Sequence, residues 1–231
     1  MQKIKLIIFD VNQTMFSLNK IENEFNNLGI SPLYCDIWFN SVLKEGFALN
    51  NINKFITFKD IGISILTNIL NINQIRNSEE ISKKIIKNFN KLEPVNGLGK
   101  SLRNFSLLNI KMATLTNGNK DTTYELLLKN NLDKFITKTF SIDDVECWKP
   151  SPKPYLMVTK YFGIKPENTL MVACHSWDLE GAKNVGLQIG YVKKTTEVLP
   201  EYIHSPDYQG KNILELSKDV LRSQQKLITS I

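Results

Sequence analysis

The chain has 231 residues, of which 42% are hydrophobic and 23% are charged. These proportions are typical of globular proteins and exclude collagen-like, disordered and membrane-embedded classes. The formal net charge is +6, but the lysines are scattered along the chain and form no basic stripe, so binding to nucleic acid is not expected. Attraction for a small anionic molecule is the milder interpretation of this charge.

The cysteines and the apolar runs bear on the compartment. Cys35, Cys147 and Cys174 have no CxxC spacing, which argues against a disulfide framework and against a structural zinc site. No apolar stretch approaches the roughly 20 residues that a membrane-spanning helix needs. The apolar run within residues 3–11 is interrupted by Lys5, and no signal-peptide cleavage site follows it. We therefore expect a cytoplasmic protein that does not enter the membrane.

The first predicted element is a strand over Ile4–Phe9, a nearly continuous apolar run of the kind that is buried on both faces of a parallel sheet. From residue 16 to residue 94 the apolar spacing becomes helical, with Asn-rich and Ser-Pro breaks between the runs. We interpret this segment as an inserted helical cap. The Pro/Gly segment Glu93–Gly97 predicts the return to the core.

After residue 95, strand and helix patterns alternate in lengths typical of βαβ units. The predicted strands are Lys111–Thr116, Lys138–Ser141, Thr169–Ala173 and Gln188–Val192. The predicted helices are Leu98–Leu108, Lys120–Asn130, Pro152–Phe162, Leu179–Val185 and Ile213–Lys226. The sequence therefore predicts a Rossmann-like, three-layer α/β core with a parallel sheet, formed by residues 1–15 and 95–231, and a helical cap formed by residues 16–94.

Polar side chains follow several predicted strands, at the edge of the sheet where ligands bind in open parallel sheets. The first strand leads to a carboxylate, the second ends in a hydroxyl and an amide, the third is followed by a lysine, and the fourth leads to a histidine and a second carboxylate. In chain order these residues are Asp10, Thr116, Asn117, Lys149, His175 and Asp178. We expect them to converge at one site.

Apart from His175, these residues stand in four ordered motifs, Phe9–Thr14, Leu115–Asn117, Lys149–Pro150 and Trp177–Ala182. In these motifs the chain resembles the haloacid dehalogenase superfamily. It is most similar to the type II 2-haloacid dehalogenases, through Ser141–Val145, Tyr155 and the Trp177–Ala182 stretch. The resemblance covers essentially the whole core, and covers the cap only by its length and helicity.

The resemblance implies a catalytic set of three residues. Asp10 would attack the substrate carbon and displace halide, which forms an ester that water then hydrolyses. Lys149 would keep Asp10 ionised by placing a positive charge beside it. Asp178 would activate the water or orient Lys149.

The resemblance also implies a set of substrate-binding residues. Thr14, Thr116 and Asn117 would hold the substrate carboxylate and orient the nucleophile, and His175 would supply a hydrogen bond or act as a general base near neutral pH. The full implied set is Asn12, Thr14, Phe39, Thr116, Asn117, Tyr155 and His175.

Asn12 separates two enzymatic hypotheses. Phosphatases of this superfamily carry a second aspartate two positions after the nucleophile, because an alkoxide leaving group needs a proton. An amide cannot donate that proton, whereas halide leaves without one. The first hypothesis is therefore a dehalogenase with no obligatory cofactor or metal. The alternative is a Mg²⁺-dependent phosphatase of small molecules, in which Asp10, Asp178 and backbone carbonyls would hold the ion.

Two departures from the family pattern keep a third hypothesis open. Characterised dehalogenases have a cap arginine after a tryptophan, and here Trp38 is followed by Phe39. The Ser-Ser-Asn that precedes the fourth motif in those enzymes is Ala173-Cys174-His175 here. A non-catalytic binding protein on the same scaffold would account for both changes. In every case the partner is a small anionic molecule, and exposed cap aromatics would favour a homodimer.

Overall fold

The computed structural model describes residues 2–193 and 199–229. Over these residues the chain forms eight strands, which are β1 (Leu6–Phe9), β2 (Phe16–Ser17), β3 (Glu93–Pro94), β4 (Lys111–Thr116), β5 (Lys138–Ser141), β6 (Thr169–Ala173), β7 (Gln188–Val192) and β8 (Tyr208–Gly210). The helices are α1 (Asn19–Asn27), α2 (Leu33–Asn51), α3 (Phe58–Ile72), α4 (Ser78–Lys87), α5 (Leu98–Ser106), α6 (Lys120–Lys129), α7 (Pro152–Phe162), α8 (Ser176–Asn184) and α9 (Ile213–Thr229).

Six strands form the main sheet in the order β5-β4-β1-β6-β7-β8, and all of their pairings are parallel. Side chains alternate between the two faces of a strand. Leu6 and Ile8 therefore pack with Tyr155 of α7 and Leu179 of α8, whereas Ile7 and its neighbour Phe9 belong to the cluster that includes α5 and α9. Helices thus cover both faces, and the predicted three-layer α/β core with a parallel sheet is confirmed.

The register of the central strands places their carboxyl ends together. Phe9 at the end of β1 lies beside Thr114 of β4 and Val172 of β6. The loops that follow these three strands therefore open at one edge of the sheet, next to β1. Consequently, Asp10, the 116–119 loop and the 174–178 segment come together there.

A short ribbon joins the two ends of the helical segment. β2 pairs antiparallel with β3, with Phe16 opposite Pro94, and helices α1 to α4 lie between these strands in the chain. Gly97 follows the ribbon with a φ of 83°, a left-handed conformation that favours glycine, and it is the N-cap residue of α5. The division into a core of residues 1–15 and 95–231 and a cap of 16–94 remains our proposal, with residues 1, 194–198 and 230–231 outside the description.

Four predicted core strands have the predicted bounds, and β1 begins at Leu6 instead of Ile4. Three short strands, β2, β3 and β8, were not predicted, because two or three residues carry no readable periodicity. The helix predicted over Leu179–Val185 begins earlier, at Ser176. Within the described parts of the chain, no helix has both the length and the apolar character needed to cross a membrane.

The homodimer was predicted from exposed aromatic residues of the cap, and this premise was wrong. The cap aromatics Trp38, Phe39 and Phe58 are buried, and Tyr34, Phe47 and Phe55 are half-buried. The large exposed hydrophobics of this segment are aliphatic, namely Leu33, Ile37, Ile52 and Ile72. A homodimer therefore stays a prediction without the aromatic surface that motivated it.

Candidate active site

Asp10 lies immediately after β1, and its backbone N–H extends the sheet by donating to the carbonyl of Val172 at 3.0 Å. The chain then turns back sharply, since the N–H groups of Met15 and Phe16 both donate to Val11. This turn returns Thr14 to the nucleophile, where its hydroxyl donates to Asp10 Oδ2 at 2.8 Å. The Asp10 carboxylate is thus fixed by local backbone geometry and is 4% exposed.

Lys149 bridges the two carboxylates predicted from the motifs. Its Nζ donates to Asp10 Oδ1 at 2.9 Å, to Asp178 Oδ2 at 2.7 Å and to the carbonyl of Leu115 at 2.9 Å. The backbone N–H of Lys149 donates to Asn117 Oδ1 at 3.1 Å, which ties this loop to the end of β4. All three protons of the ammonium are therefore engaged, and the side chain is fully buried.

Asp178 lies in the first turn of α8, and the Lys149 ammonium separates it from Asp10. The hydroxyl of Tyr155 donates to Asp178 Oδ1 at 2.5 Å, and both side chains are fully buried. The structure thus does not place Tyr155 where a substrate can reach it, and the expectation that it binds substrate gives way to a role in positioning Asp178. Gly181 permits the close packing, because a Cβ there would lie 2.7 Å from the Tyr155 hydroxyl.

His175 contacts the nucleophile from the other side. Its Nδ1 lies 3.2 Å from Asp10 Oδ2, and its Nε2 lies 3.0 Å from Gln13 Oε1. The ring is stacked between Phe39, at a centroid distance of 6.0 Å, and Trp177, at 5.2 Å. Because both ring nitrogens face oxygen acceptors, the protonated imidazolium fits this environment best.

The charges of the cluster shift the pKa values of its members. Burial disfavours the ionised form of Asp10, but the Lys149 ammonium and the hydrogen bond from His175 outweigh it and hold the Asp10 pKa well below its usual range. Burial likewise lowers the pKa of His175, yet the neighbouring Cys174 and Asp10 raise it to about 10. The nucleophile is therefore ionised and His175 protonated at neutral pH.

The pKa values of Lys149 and Asp178 are both raised, whereas in a simple surface pair the pKa of the aspartate would fall. Burial lowers the pKa of Lys149, but Asp10 and Asp178 together raise it above its usual value. Burial raises the pKa of Asp178, and the nearby charge of Asp10 adds to this effect, although Lys149 and Tyr155 oppose it. Lys149 thus remains a permanent cation beside the nucleophile.

A cleft of about 890 Å³ opens beside the nucleophile, between the core loops and the cap helices. On the core side it is lined by Asn12, Thr116, Gly118 and Asp143, among others, and on the cap side by Phe58, Lys59, Ile63 and Phe89. Thr116 accepts a hydrogen bond from the Gly118 N–H at 2.9 Å. The Nδ2 of neighbouring Asn117 is buried and has no hydrogen-bond partner among the residues that the structure describes.

Polar contacts connect the cap to the lysine loop. Asn50, near the end of α2, accepts from the Trp148 N–H at 3.0 Å and donates to Ser151 Oγ at 2.7 Å. The indole N–H of Trp148 donates to the carbonyl of Ile56 at 3.0 Å. The residues on both sides of Lys149 are thus held by the cap.

The carboxylates do not fit a magnesium ion held by Asp10 and Asp178. The carboxylate oxygens of both residues already accept hydrogen bonds, and Lys149 places a positive charge between them. Asp10, Cys174 and His175 have possible ligand atoms within 4.8 Å of one another. However, Asp10 Oδ2 and His175 Nδ1 already contact each other, and two cations lie beside the carboxylate, so this cluster does not suit a metal ion either.

Several contributors to the site were not identified from the sequence. Gln13, Trp177 and Asn50 contact His175 or the lysine loop, but no functional role followed from their positions. The position of Gln13 between Asp10 and Thr14, inside the first motif, was the one available signal. The structure adds that Gln13 has a left-handed φ of 64° in the turn after β1. Asn50 offered no signal, since its partners lie about a hundred residues away in the chain.

A sequence model of haloacid dehalogenase-like hydrolases matches residues 7–192. The chain is similar to haloacetate dehalogenase H-2 of Moraxella sp. (strain B), with 24% identity over 214 residues, which cover 90% of this chain and 94% of that protein. Pyrophosphatase PpaX of Halalkalibacterium halodurans is 29% identical over 128 residues, 54% of this chain and 59% of that protein.

Solved structures have the same fold. The structure of L-2-haloacid dehalogenase from Xanthobacter autotrophicus, with chloropropionic acid covalently bound, matches with a TM-score of 0.86 at 19% identity, over 94% of this chain and 98% of that chain. The family match contains the strand that leads to Asp10, the loop of Lys149 and the first turn of α8 with Asp178. The chain therefore belongs to the haloacid dehalogenase-like hydrolase family.

Proposed function

We propose that this protein is a 2-haloacid dehalogenase-like hydrolase that breaks the carbon–halogen bond next to a carboxylate, with Asp10 as the covalent nucleophile. The observation that carries the proposal is the ionised, buried Asp10 carboxylate beside Lys149, combined with Asn12 at the position where a phosphatase needs an acid. Asp10 supplies the nucleophile, and the amide of Asn12 cannot donate a proton to a leaving group.

The reaction has two halves. A carboxylate oxygen of Asp10 attacks the carbon that bears the halogen, the carbon–halogen bond breaks, and the halide leaves with the bonding electrons. The ester so formed is then attacked by water at Cγ of Asp10, which releases a hydroxy acid and restores the carboxylate. Lys149 stabilises the ionised carboxylate before the first half and after the second.

The substrate carboxylate requires hydrogen-bond donors near the nucleophile. Thr116 lies at the cleft, and its hydroxyl proton is not used by the hydrogen bond that it accepts from Gly118. The unpaired Nδ2 of Asn117 is a second donor, and burial makes an unsatisfied amide costly. Asn12 lines the same cleft. These donors favour a small anionic substrate.

The names of the relatives point in two directions. Haloacetate dehalogenase H-2 and the covalent chloropropionic acid complex support attack on a haloacid carbon. Pyrophosphatase PpaX, similar over about half of the chain, supports the alternative of a phosphatase. Lys149 argues against an ion held jointly by Asp10 and Asp178, because its ammonium lies between Asp10 Oδ1 and Asp178 Oδ2 and would repel a second cation there.

The test measures halide release from a panel of 2-haloacids and phosphate release from a panel of phosphate esters, each with Mg²⁺ and with chelator. Asp10→Asn keeps the size of the nucleophile but removes its charge, and Asp219→Asn, at an exposed position of α9, is the matched control. We expect halide release that is unaffected by chelator, absent in Asp10→Asn and normal in Asp219→Asn.

Other outcomes would contradict the proposal. Phosphate release that requires Mg²⁺ and is lost in Asp10→Asn would assign the protein to the phosphatases. Release of neither product, together with unchanged ligand binding in Asp10→Asn, would favour the non-catalytic binding protein.

A further inference from the structure

Hydrolysis of an ester on Asp10 requires a group that accepts a proton from the attacking water. Lys149 cannot serve, because its ammonium donates three hydrogen bonds and is fully buried. Asp178 is also fully buried, and its oxygens accept from Lys149 and Tyr155. The Lys149 ammonium and the Asp178 carboxylate thus already have hydrogen-bond partners, and both are shielded from water.

One other titratable side chain contacts Asp10 among the residues that the structure describes. His175 lies 3.2 Å from Asp10 Oδ2, on the side opposite the bond from Lys149 to Oδ1. The side chain of His175 is 8% exposed, whereas the side chains of Lys149 and Asp178 are fully buried. Of these three ionisable side chains, His175 alone therefore keeps any contact with solvent.

The orientation of the imidazole is fixed from three directions. Phe39 from the cap and Trp177 from α8 stack on its two faces at interplanar angles of 28° and 23°. Gln13 Oε1 lies 3.0 Å from Nε2, which directs Nδ1 to the nucleophile. Because the His175 imidazole is held in this orientation, it can accept and donate a proton at Nδ1 without rotating.

We propose that His175 is a catalytic residue of the second half of the reaction, in which it acts first as general base and then as general acid at Nδ1. This inference rests on the proposed function, because it requires an ester on Asp10.

The protons balance as follows. Before the reaction, the imidazolium is paired with the Asp10 carboxylate. Ester formation neutralises Asp10, so the imidazolium loses its anionic partner and releases its proton to solvent as the halide departs. Neutral Nδ1 then accepts a proton from the attacking water, whose oxygen bonds to Cγ.

The tetrahedral intermediate then collapses. The bond between Cγ and the substrate oxygen breaks, and Nδ1 gives its proton to that oxygen, which leaves as the hydroxyl of the product. Asp10, now a carboxylic acid, passes its proton to Nδ1 and restores the ion pair. One turnover consumes one water and releases one halide and one proton.

The experiment mixes excess 2-haloacid rapidly with purified protein, follows halide release and measures the intact protein mass. The variant is His175→Asn, which keeps an N–H near Asp10 Oδ2 but cannot accept a proton at neutral pH. His204→Asn is the matched control, because His204 is the second of the 2 histidines of the chain and lies exposed beside Glu180.

We expect His175→Asn to release about one halide per protein in a burst, to accumulate an ester on Asp10, and to hydrolyse that ester about 10²-fold or more slowly than wild type. His204→Asn should behave as wild type. Steady turnover of His175→Asn at the wild-type rate would overturn the inference. So would the absence of any burst in a folded variant, because it would place His175 in the first half of the reaction.

Failure of the proposed function gives a different result. In that case the wild-type protein itself would release no halide and form no ester, so the two failures are distinguishable by the wild-type trace alone.

Discussion

The core and the cap contribute to this site through different interactions. The core supplies buried charges joined by hydrogen bonds of 2.7 to 3.2 Å, and these belong to Asp10, Lys149, His175 and Asp178. The cap supplies aromatic rings with centroid distances of 5.8 to 6.4 Å, and these belong to Trp38, Phe39, Phe58 and Phe89. The charged residues position the Asp10 carboxylate, and the aromatic rings form the packing on the cap side of the site.

This difference has an energetic consequence. A buried charge depends on its partner, because removing one member leaves the other unpaired in a poorly solvated environment. Aromatic contacts are individually weaker and are shared among several neighbours. We therefore expect substitutions in the charged cluster to have large effects and substitutions in the aromatic cluster to have graded ones.

The largest effect is expected for Lys149→Met, which removes the cation between Asp10 and Asp178. The free energy of unfolding should fall by about 3–5 kcal/mol, because two buried carboxylates lose their partner. Halide release should fall by about 10²-fold or more. Urea denaturation and the halide assay measure both. Lys160→Met, on the exposed face of α7, should change neither, and an equal loss in the two variants would refute the importance of the buried cluster.

The contact between cap and core at Gly46 is the next most sensitive. A Cβ at Gly46 would lie 2.6 Å from ring atoms of Trp148, so Gly46→Ala should destabilise the protein by about 1–3 kcal/mol. Gly99 is also helical, but a Cβ there would meet Leu132 at 3.6 Å. Gly99→Ala should therefore stabilise by about 0.5–1 kcal/mol. Thermal unfolding of the two variants should shift in opposite directions, and a common direction would contradict the packing.

The polar connection between cap and lysine loop should have an intermediate effect. Asn50→Ala removes the acceptor of the Trp148 N–H and the donor to Ser151. We expect a loss of about 1 kcal/mol in stability and a fall in the rate of halide release of up to about tenfold, because Lys149 lies between these partners. Asn51→Ala changes the exposed neighbouring residue and is the control. Equal rates in the two variants would show that the connection does not position Lys149.

The smallest effect is expected for Phe39→Leu, which removes one of the two rings stacked on His175. The loss of stability attributable to the stacking should be about 0.5–1.5 kcal/mol. The imidazole signals of His175 in an NMR spectrum should shift, whereas those of His204 should not. Phe89→Leu, whose ring packs on Trp38 and Phe58, is the control for general loosening of the cap. A similar shift of His175 in this control would contradict direct stacking.

The strands next to the site were predictable because local patterns define them. Lys111–Thr116 and Thr169–Ala173 are short apolar runs bounded by polar turns, and their predicted and observed bounds agree. β8 was missed, because its three residues become a strand only through pairing with β7. The turn predicted at Glu93–Gly97 contains β3 for the same reason, since Phe16 is its partner across the ribbon.

As with the strands, part of the candidate site was predictable from the sequence and part was not. Asp10, Lys149, His175 and Asp178 do converge, as expected from their places at strand ends. Tyr155 was assigned to substrate binding, but its hydroxyl faces Asp178 in the interior. The order of residues along α7 does not reveal this, because the partner of a buried hydroxyl is determined by the packing of α7 against α8.

By itself, the sequence determined the α/β layers, the ends of the main strands and the set of residues brought to one edge of the sheet. These follow from local periodicity and from the rule that parallel strands end together. Only the tertiary structure decided which carboxylate oxygen each partner holds, that Asn50 connects the cap to the lysine loop, and that two aromatic rings enclose His175. Those contacts join residues far apart in the chain, and their energies depend on burial and distance, which a linear pattern does not contain.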